Sequence, residues 1–179
     1  MRNQTCCFTG HRMIPIEDRE SLQTRLEETL LRLIAQGIRY FGAGGALGFD
    51  TIAALTVIKL RETHPHIRLI LVLPCKDQPK GWNQEDVKTY KQILLKADKF
   101  VHTSERYYSG CMHKRNRRLV DHSAVCVCYL IERTGGTAYT VRYAELMGLR
   151  IINLALTQTA PAAPRSATSG NSPREGSPE

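Results

Sequence analysis

Long apolar runs are missing from this chain of 179 residues, and nothing in it approaches the roughly 20 consecutive apolar residues that a membrane-spanning helix needs. The N-terminal stretch MRNQTCCFTGHR also lacks an apolar core and a small-residue cleavage site. It therefore does not read as a secretory signal, and the expected location is the cytoplasm. No pair of cysteines has CxxC spacing, the commonest frame for a structural zinc. Four of the six (Cys6, Cys7, Cys75, Cys111, Cys126, Cys128) sit inside apolar runs, so they are read as reduced, buried small hydrophobes rather than disulfides or metal ligands. Cys126 and Cys128 are placed on one side of a strand. Acidic residues are in short supply, 17 against 25 Lys and Arg, which leaves a formal charge of +8.

That excess has a location. The charges after Gln158 cancel, and the densest basic stretch runs from Arg106 to Arg118, with Lys114, Arg115, Arg117 and Arg118 interrupted only by Asn116. Such a cluster suits phosphates; a solvated helix face is the alternative. Hydrophobic content of 42% argues against global disorder. Beyond Leu156 the chain turns to Thr, Ala, Pro, Ser and Gly, so residues 1–156 are expected to form one domain and 157–179 a disordered tail.

Within the domain, strand-like and helix-like segments alternate. Thr5–Thr9, Ile38–Ala43, Arg68–Leu73, Lys99–His102, Ala124–Ile131 and Arg150–Leu154 read as strands, and their continuous apolarity indicates burial on both faces. In Glu17–Gln36, residues Leu22, Leu26, Leu30, Leu33 and Ile34 share a helical face, with Gly37 placed to end the helix. Asn83 is placed to cap a helix carrying Val87, Tyr90, Leu94 and Ala97, and Ala138–Met147 forms the last helix. The pattern predicts an α/β fold: a doubly wound, mainly parallel sheet of about six strands with helices on both faces.

In such a sheet, ligands bind beyond the carboxyl ends of the strands. The unusual residues collect there: Thr9-Gly10-His11-Arg12 after the first strand, Gly42 through Asp50 after the second, Pro74 to Trp82 after the third, and Arg133 to Thr137 after the fifth. Gly135-Gly136-Thr137 entering a helix forms an anion site or a plain turn. Gly44, Gly45 and Gly48 make a second such loop. Asp50 either accepts hydrogen bonds from a ribose or caps the helix beginning near Thr51. His11 is a ligand contact or a structural residue, and Arg12 is suited to forked contacts with phosphate. Trp82, with Gln78 beside it, either stacks on a base or anchors a helix.

Taken in this order, the loops resemble the SLOG superfamily, a Rossmann-like group that includes DprA/Smf and the lonely-guy phosphoribohydrolases. Within it the similarity is to the YpsA-like family: TGHR, GGALGFD, a Pro74–Trp82 segment with Gln78 and Trp82, Arg115-Asn116 with Val120-Asp121, and Gly135-Gly136-Thr137 with Thr140 and Tyr143. The resemblance spans about residues 4 to 155 and implies a nucleotide-like ligand held by the TGHR, GG and GGT loops with Arg115 and Asn116. It implies no settled reaction. The phosphoribohydrolase pattern PGGxGTxxE carries a glutamate where this chain has Thr140, which weakens an assignment as glycosidic hydrolase; Asp50 and Glu132 are the substitutes on offer for catalysis. DprA-like binding of single-stranded DNA would draw on Lys114 to Arg118, yet only Tyr107 and Tyr108 adjoin that run as aromatics, so nucleic acid is not favoured.

The expectation is a non-catalytic or weakly catalytic sensor of a nucleotide, NAD or ADP-ribose. Gly135, Gly136 and Thr137 would receive a phosphate, Arg12 and Arg115 would neutralise it, Asp50 and Asn116 would meet the ribose, and Trp82 or Tyr90 would border the base. No metal and no membrane are expected, and a homo-oligomer is left open.

Overall fold

The computed structural model describes residues 1–155, so the tail expected at 157–179 lies outside the described residues. After a 3₁₀ turn at Arg2–Gln4, six strands alternate with five helices: β1 (Thr5–Gly10), α1 (Ile16–Ala35), β2 (Tyr40–Ala43), α2 (Phe49–Leu60), β3 (Arg68–Leu73), α3 (Gln84–Lys96), β4 (Lys99–His102), α4 (Cys111–Asp121), β5 (Val125–Tyr129), α5 (Gly135–Leu146) and β6 (Arg150–Asn153). Every pairing is parallel and the strand order is β4-β3-β2-β1-β5-β6. The chain walks outward from β1 to β4, then returns to the other side of β1, so the order reverses between β1 and β5. At that point the loops following the two strands diverge and leave a crevice.

The apolar strands are sandwiched as expected. All five residues of β5 are buried. One core cluster joins Leu22, Leu26, Leu30 and Leu33 of α1, Phe49, Ala53 and Val57 of α2, and Tyr90 and Ile93 of α3 against the sheet. A smaller cluster on the other face joins Cys7, Cys126 and Cys128 to Leu119 and Val120 of α4 and Val141 and Ala144 of α5. All six cysteines are free and buried, and burial pushes the Cys128 thiol up to about 12, which makes it a packing group rather than a nucleophile. No helix among the described residues is long and apolar enough to cross a membrane.

Local signals set most element ends. Gly37 adopts φ of 91° after α1, and Asn83 Oδ1 accepts the Asp86 N–H at 2.8 Å. Most bounds shift by one or two residues from the sequence reading, and two helices differ by more. Helix α5 begins at Gly135, three residues before Ala138, because Thr134 is extended and the glycines themselves form the first turn. The basic run, for which a helix face is one of the two sequence readings, forms helix α4; its N-cap is Gly110 in the left-handed region, with no capping side chain to mark its start.

Candidate functional site

A cleft of about 350 Å³ opens at the β1/β5 reversal, lined by Thr9, Gly10, His11, Arg12, Ala46, Asp50, Met112, Arg115, Asn116, Gly136 and Thr137. Nine of these eleven carry an expected binding role; Ala46 and Met112 do not.

The first two loops interlock. Gly48 has φ of 77°, and a Cβ there would lie 2.3 Å from the Arg12 carbonyl oxygen. The Phe49 N–H donates to the His11 carbonyl at 3.2 Å. A Cβ on Gly10 would meet Phe49 at 2.5 Å, and one on Gly45 would meet Leu73 at 2.7 Å. These glycines let backbone approach backbone or core, and of the three only Gly10 also lines the cleft.

Asp50 neither caps α2 nor points freely at a ribose. The α2 N-cap is Gly48. Asp50 Oδ2 accepts the Gly44 and Ala46 N–H groups at 3.1 and 3.4 Å and the Arg115 Nη1 donor at 3.2 Å. Both partners of that ion pair are buried, Arg115 with 5% and Asp50 with 6% exposure. Arg115 is thus no member of an exposed cluster: it stands on the inward face of α4 with Cys111 and Leu119, four residues to either side. That i, i+4 apolar spacing was the available signal for its direction. Burial raises the Asp50 carboxyl above its ordinary value, and Arg115 and the two backbone donors oppose the rise. Burial likewise lowers Arg115; Asp50 counteracts this, and Arg12 pushes the same way as burial. Arg115 Nε is buried with no partner among the described residues, while Nη2 reaches only the Met112 sulfur at 3.7 Å.

The exposed Arg12 is near enough to repel Arg115 yet forms no ion pair among the described residues. Beside it, α5 starts with no side chain capping its amide donors. A Cβ on Gly136 would touch nothing within 4 Å. Two guanidinium groups, one carboxylate and an uncapped helix start leave the cleft with unmatched positive potential.

His11 serves as a clamp. Its Nε2 accepts the Ile131 and Glu132 N–H groups at 3.0 and 3.3 Å, which puts the ring hydrogen of the neutral form on Nδ1. It thereby fixes the loop between β5 and α5. His11→Ala is expected to cost about 1 kcal/mol in urea unfolding and to speed amide exchange at Ile131 and Glu132. Unchanged exchange at both amides would remove the clamp.

Other expected residues lie outside the cleft. Gln78 is buried and donates from Nε2 to the Gly44 and Gly45 carbonyls at 3.2 and 2.9 Å, a strut beneath the glycine loop. Trp82 packs edge-on against Tyr90, with ring centroids 5.5 Å apart, as a helix anchor. Tyr90 is buried under Gly45 and does not line the cleft. Thr140 Oγ1 donates to the Gly136 carbonyl at 2.8 Å and accepts from Asn116 Nδ2 at 2.7 Å, bracing α5 against α4. Glu132 is exposed and is absent from the cleft wall.

Comparison with known proteins bears on the family and the fold. A UPF0398 protein of Halalkalibacterium halodurans is 34% identical over 127 residues, covering 69% of this chain and 67% of the relative. The SPbeta prophage-derived protein YoqJ of Bacillus subtilis is 31% identical over 137 residues, covering 69% and 80%. Among solved structures, DNA processing protein A from Helicobacter pylori, described for its single-stranded DNA binding mode, superposes with a TM-score of 0.60 at 19% identity. The Streptococcus pneumoniae DprA superposes with a TM-score of 0.61 at 14% identity. These two share the fold; each match covers most of this chain, 84% and 83%, but only 64% and 49% of the DprA chains. The family model for the YspA SLOG family matches residues 6–150, and the chain belongs to this YpsA family.

Proposed function

We propose that the cleft binds a phosphate-bearing nucleotide or nucleotide derivative, such as a nucleoside monophosphate or ADP-ribose, and that the protein acts as a sensor or regulatory module. The observation that carries this reading is the unmatched charge at the cleft: Arg12 without an ion-pair partner beside Arg115, facing the uncapped start of α5. A phosphate between Arg12 and the Gly136 and Thr137 amides would satisfy all three. At about 350 Å³ the cleft suits a mononucleotide-sized group, near the lower end of the ~300–1,000 Å³ typical of ligand pockets. Asp50 Oδ1 and Asn116 are then the polar groups left for a ribose.

Nothing in the geometry favours glycosidic hydrolysis. Asp50 is the one carboxylate on the cleft wall among the described residues, and Arg115 holds it; Thr140 stands where the related hydrolases keep glutamate. Incubation with nucleoside monophosphates should release no free base.

The test is a thermal-shift screen against AMP, ADP-ribose and NAD, in which a ligand of the folded state raises the melting temperature by mass action. Gly136→Leu is the matched control. Its side chain has room to enter the cleft without touching the core, so it should abolish the shift while stability in urea stays within about 1 kcal/mol. A shift that survives Gly136→Leu, or no shift with any of the three, would refute the reading.

A further inference from the structure

The two faces of the sheet are not equally covered. Helices α1, α2 and α3 pack on one face; on the other, α5 lies over β1, β5 and β6 and α4 reaches from β1 to β3, where Leu119 packs on Val72. Parallel sheets are almost always covered on both sides. Here Tyr40 and Gly42 of β2, Ile70 and Val72 of β3, and Lys99 and Val101 of β4 line a groove of about 480 Å³ beside Leu119 of α4. The register places Gly42, Ile70 and Lys99 in one row and Val72 with Val101 in the next, so these side chains share a face. The groove runs along α4 toward β4, where no further helix follows on this face among the described residues.

Its rim is basic. Lys99 and Arg118 form no ion pair among the described residues. A second groove of about 650 Å³ continues along the outer stripe of α4, where His113, Lys114, Arg117, Arg118 and His122 follow one another at helical spacing. The basic run therefore splits: Arg115 turns inward to the cleft, while Lys114, Arg117 and Arg118 turn out to solvent, Arg118 at the edge shared by the two grooves. We infer that this face docks an amphipathic helix of a partner protein, with an apolar stripe seated on the half-buried Ile70 and Val101 and carboxylates against Lys99, Lys114 and Arg118.

Other occupants fit less well. The residues after Leu156 contain no Ile, Leu, Val, Met or aromatic residue and cannot supply an apolar stripe. A second copy would bring the same basic rim and a net charge of +8 against itself. Nucleic acid would answer the rim but not the apolar floor.

The probe is a fluorescein-labelled synthetic peptide of about 18 residues, some five helical turns, with a leucine stripe flanked by glutamates. Anisotropy should show saturable binding to the full chain, about tenfold weaker for the same peptide with lysine in place of glutamate. Arg118→Glu should weaken it similarly, and Val101→Glu should do so through the floor, each variant being checked for an unchanged melting curve. A labelled oligothymidylate and sedimentation equilibrium complete the test. The inference is overturned if the acidic peptide fails to bind, or if Val101→Glu leaves its affinity unchanged. It is also overturned if the oligothymidylate displaces the peptide and binds more tightly, or if the chain dimerises and Val101→Glu abolishes the dimer.

Discussion

Arg115→Met is expected to destabilise the protein by about 3–5 kcal/mol at neutral pH, the usual cost of stranding one charge of a buried pair. Asp50 would keep its two backbone donors but lose its counter-ion in a site with almost no access to water. The pH dependence follows from the direction of the shift. Burial already raises the Asp50 carboxyl above 3.8 in the folded protein, and Arg115 is the strongest influence holding it down. Without Arg115 the folded value rises further. A raised folded value contributes stability that is present below the unfolded value and lost as pH climbs through the folded one. The variant should therefore regain stability relative to the natural chain as pH falls toward 4. Urea unfolding at a series of pH values measures this; a pH-independent deficit would mean that lost packing, not a stranded carboxylate, sets the cost.

For both partners, burial acts more strongly than the mutual attraction. Such a pair is weak evidence for stability, since well-packed apolar replacements are often neutral or better. Asp50→Asn combined with Arg115→Met is accordingly expected to be no less stable than the natural chain, and to bind no nucleotide. The pair then belongs to the site rather than to the core: it holds a cation at the cleft floor and orders the Gly44–Ala46 loop above it.

Gly44→Ala should rank with Arg115→Met in severity. A Cβ at position 44 would lie 1.2 Å from Arg115 Nη1 and 2.7 Å from Asp50 Oδ2, inside both groups. The three nearest atoms all belong to side chains, two of them to the guanidinium, so Arg115 is the group that yields and Asp50 loses its counter-ion. The expected loss is again about 3–5 kcal/mol, with nucleotide binding lost as well. Because the damage runs through Arg115, the same alanine in the Asp50→Asn, Arg115→Met background should cost much less. A double-mutant cycle reads the difference; equal costs in both backgrounds would place the damage in the loop itself.

The sheet was legible because its strands are runs such as RLILVL and VCVCY, which admit few other readings, and α1 because its leucines keep one face. The edge that holds the cleft was legible too, since glycines and polar residues gather after strands. Direction was not. The motif letters of Gly44, Gly45, Gly48, Asp50 and Gln78 suggested ligand contacts, yet most of them spend their chemistry on one another, on Arg115 or on the Arg12 backbone. A composition that places four cations within five residues hides the fact that a helix sends one of them inward. Only the i, i+4 partners Cys111 and Leu119 carried that information. Trp82, the lone tryptophan, drew notice by rarity and proves to be an anchor against Tyr90.

The most direct test of the proposed site is a crystal structure of the chain grown or soaked with AMP and, separately, with ADP-ribose. The expected result is a phosphate within ~2.7–3.2 Å of the Gly136 and Thr137 amides, with Arg12 closed onto it and the Asp50–Arg115 pair intact beneath. An empty cleft at saturating ligand, or a phosphate bound along the outer stripe of α4 instead, would contradict it.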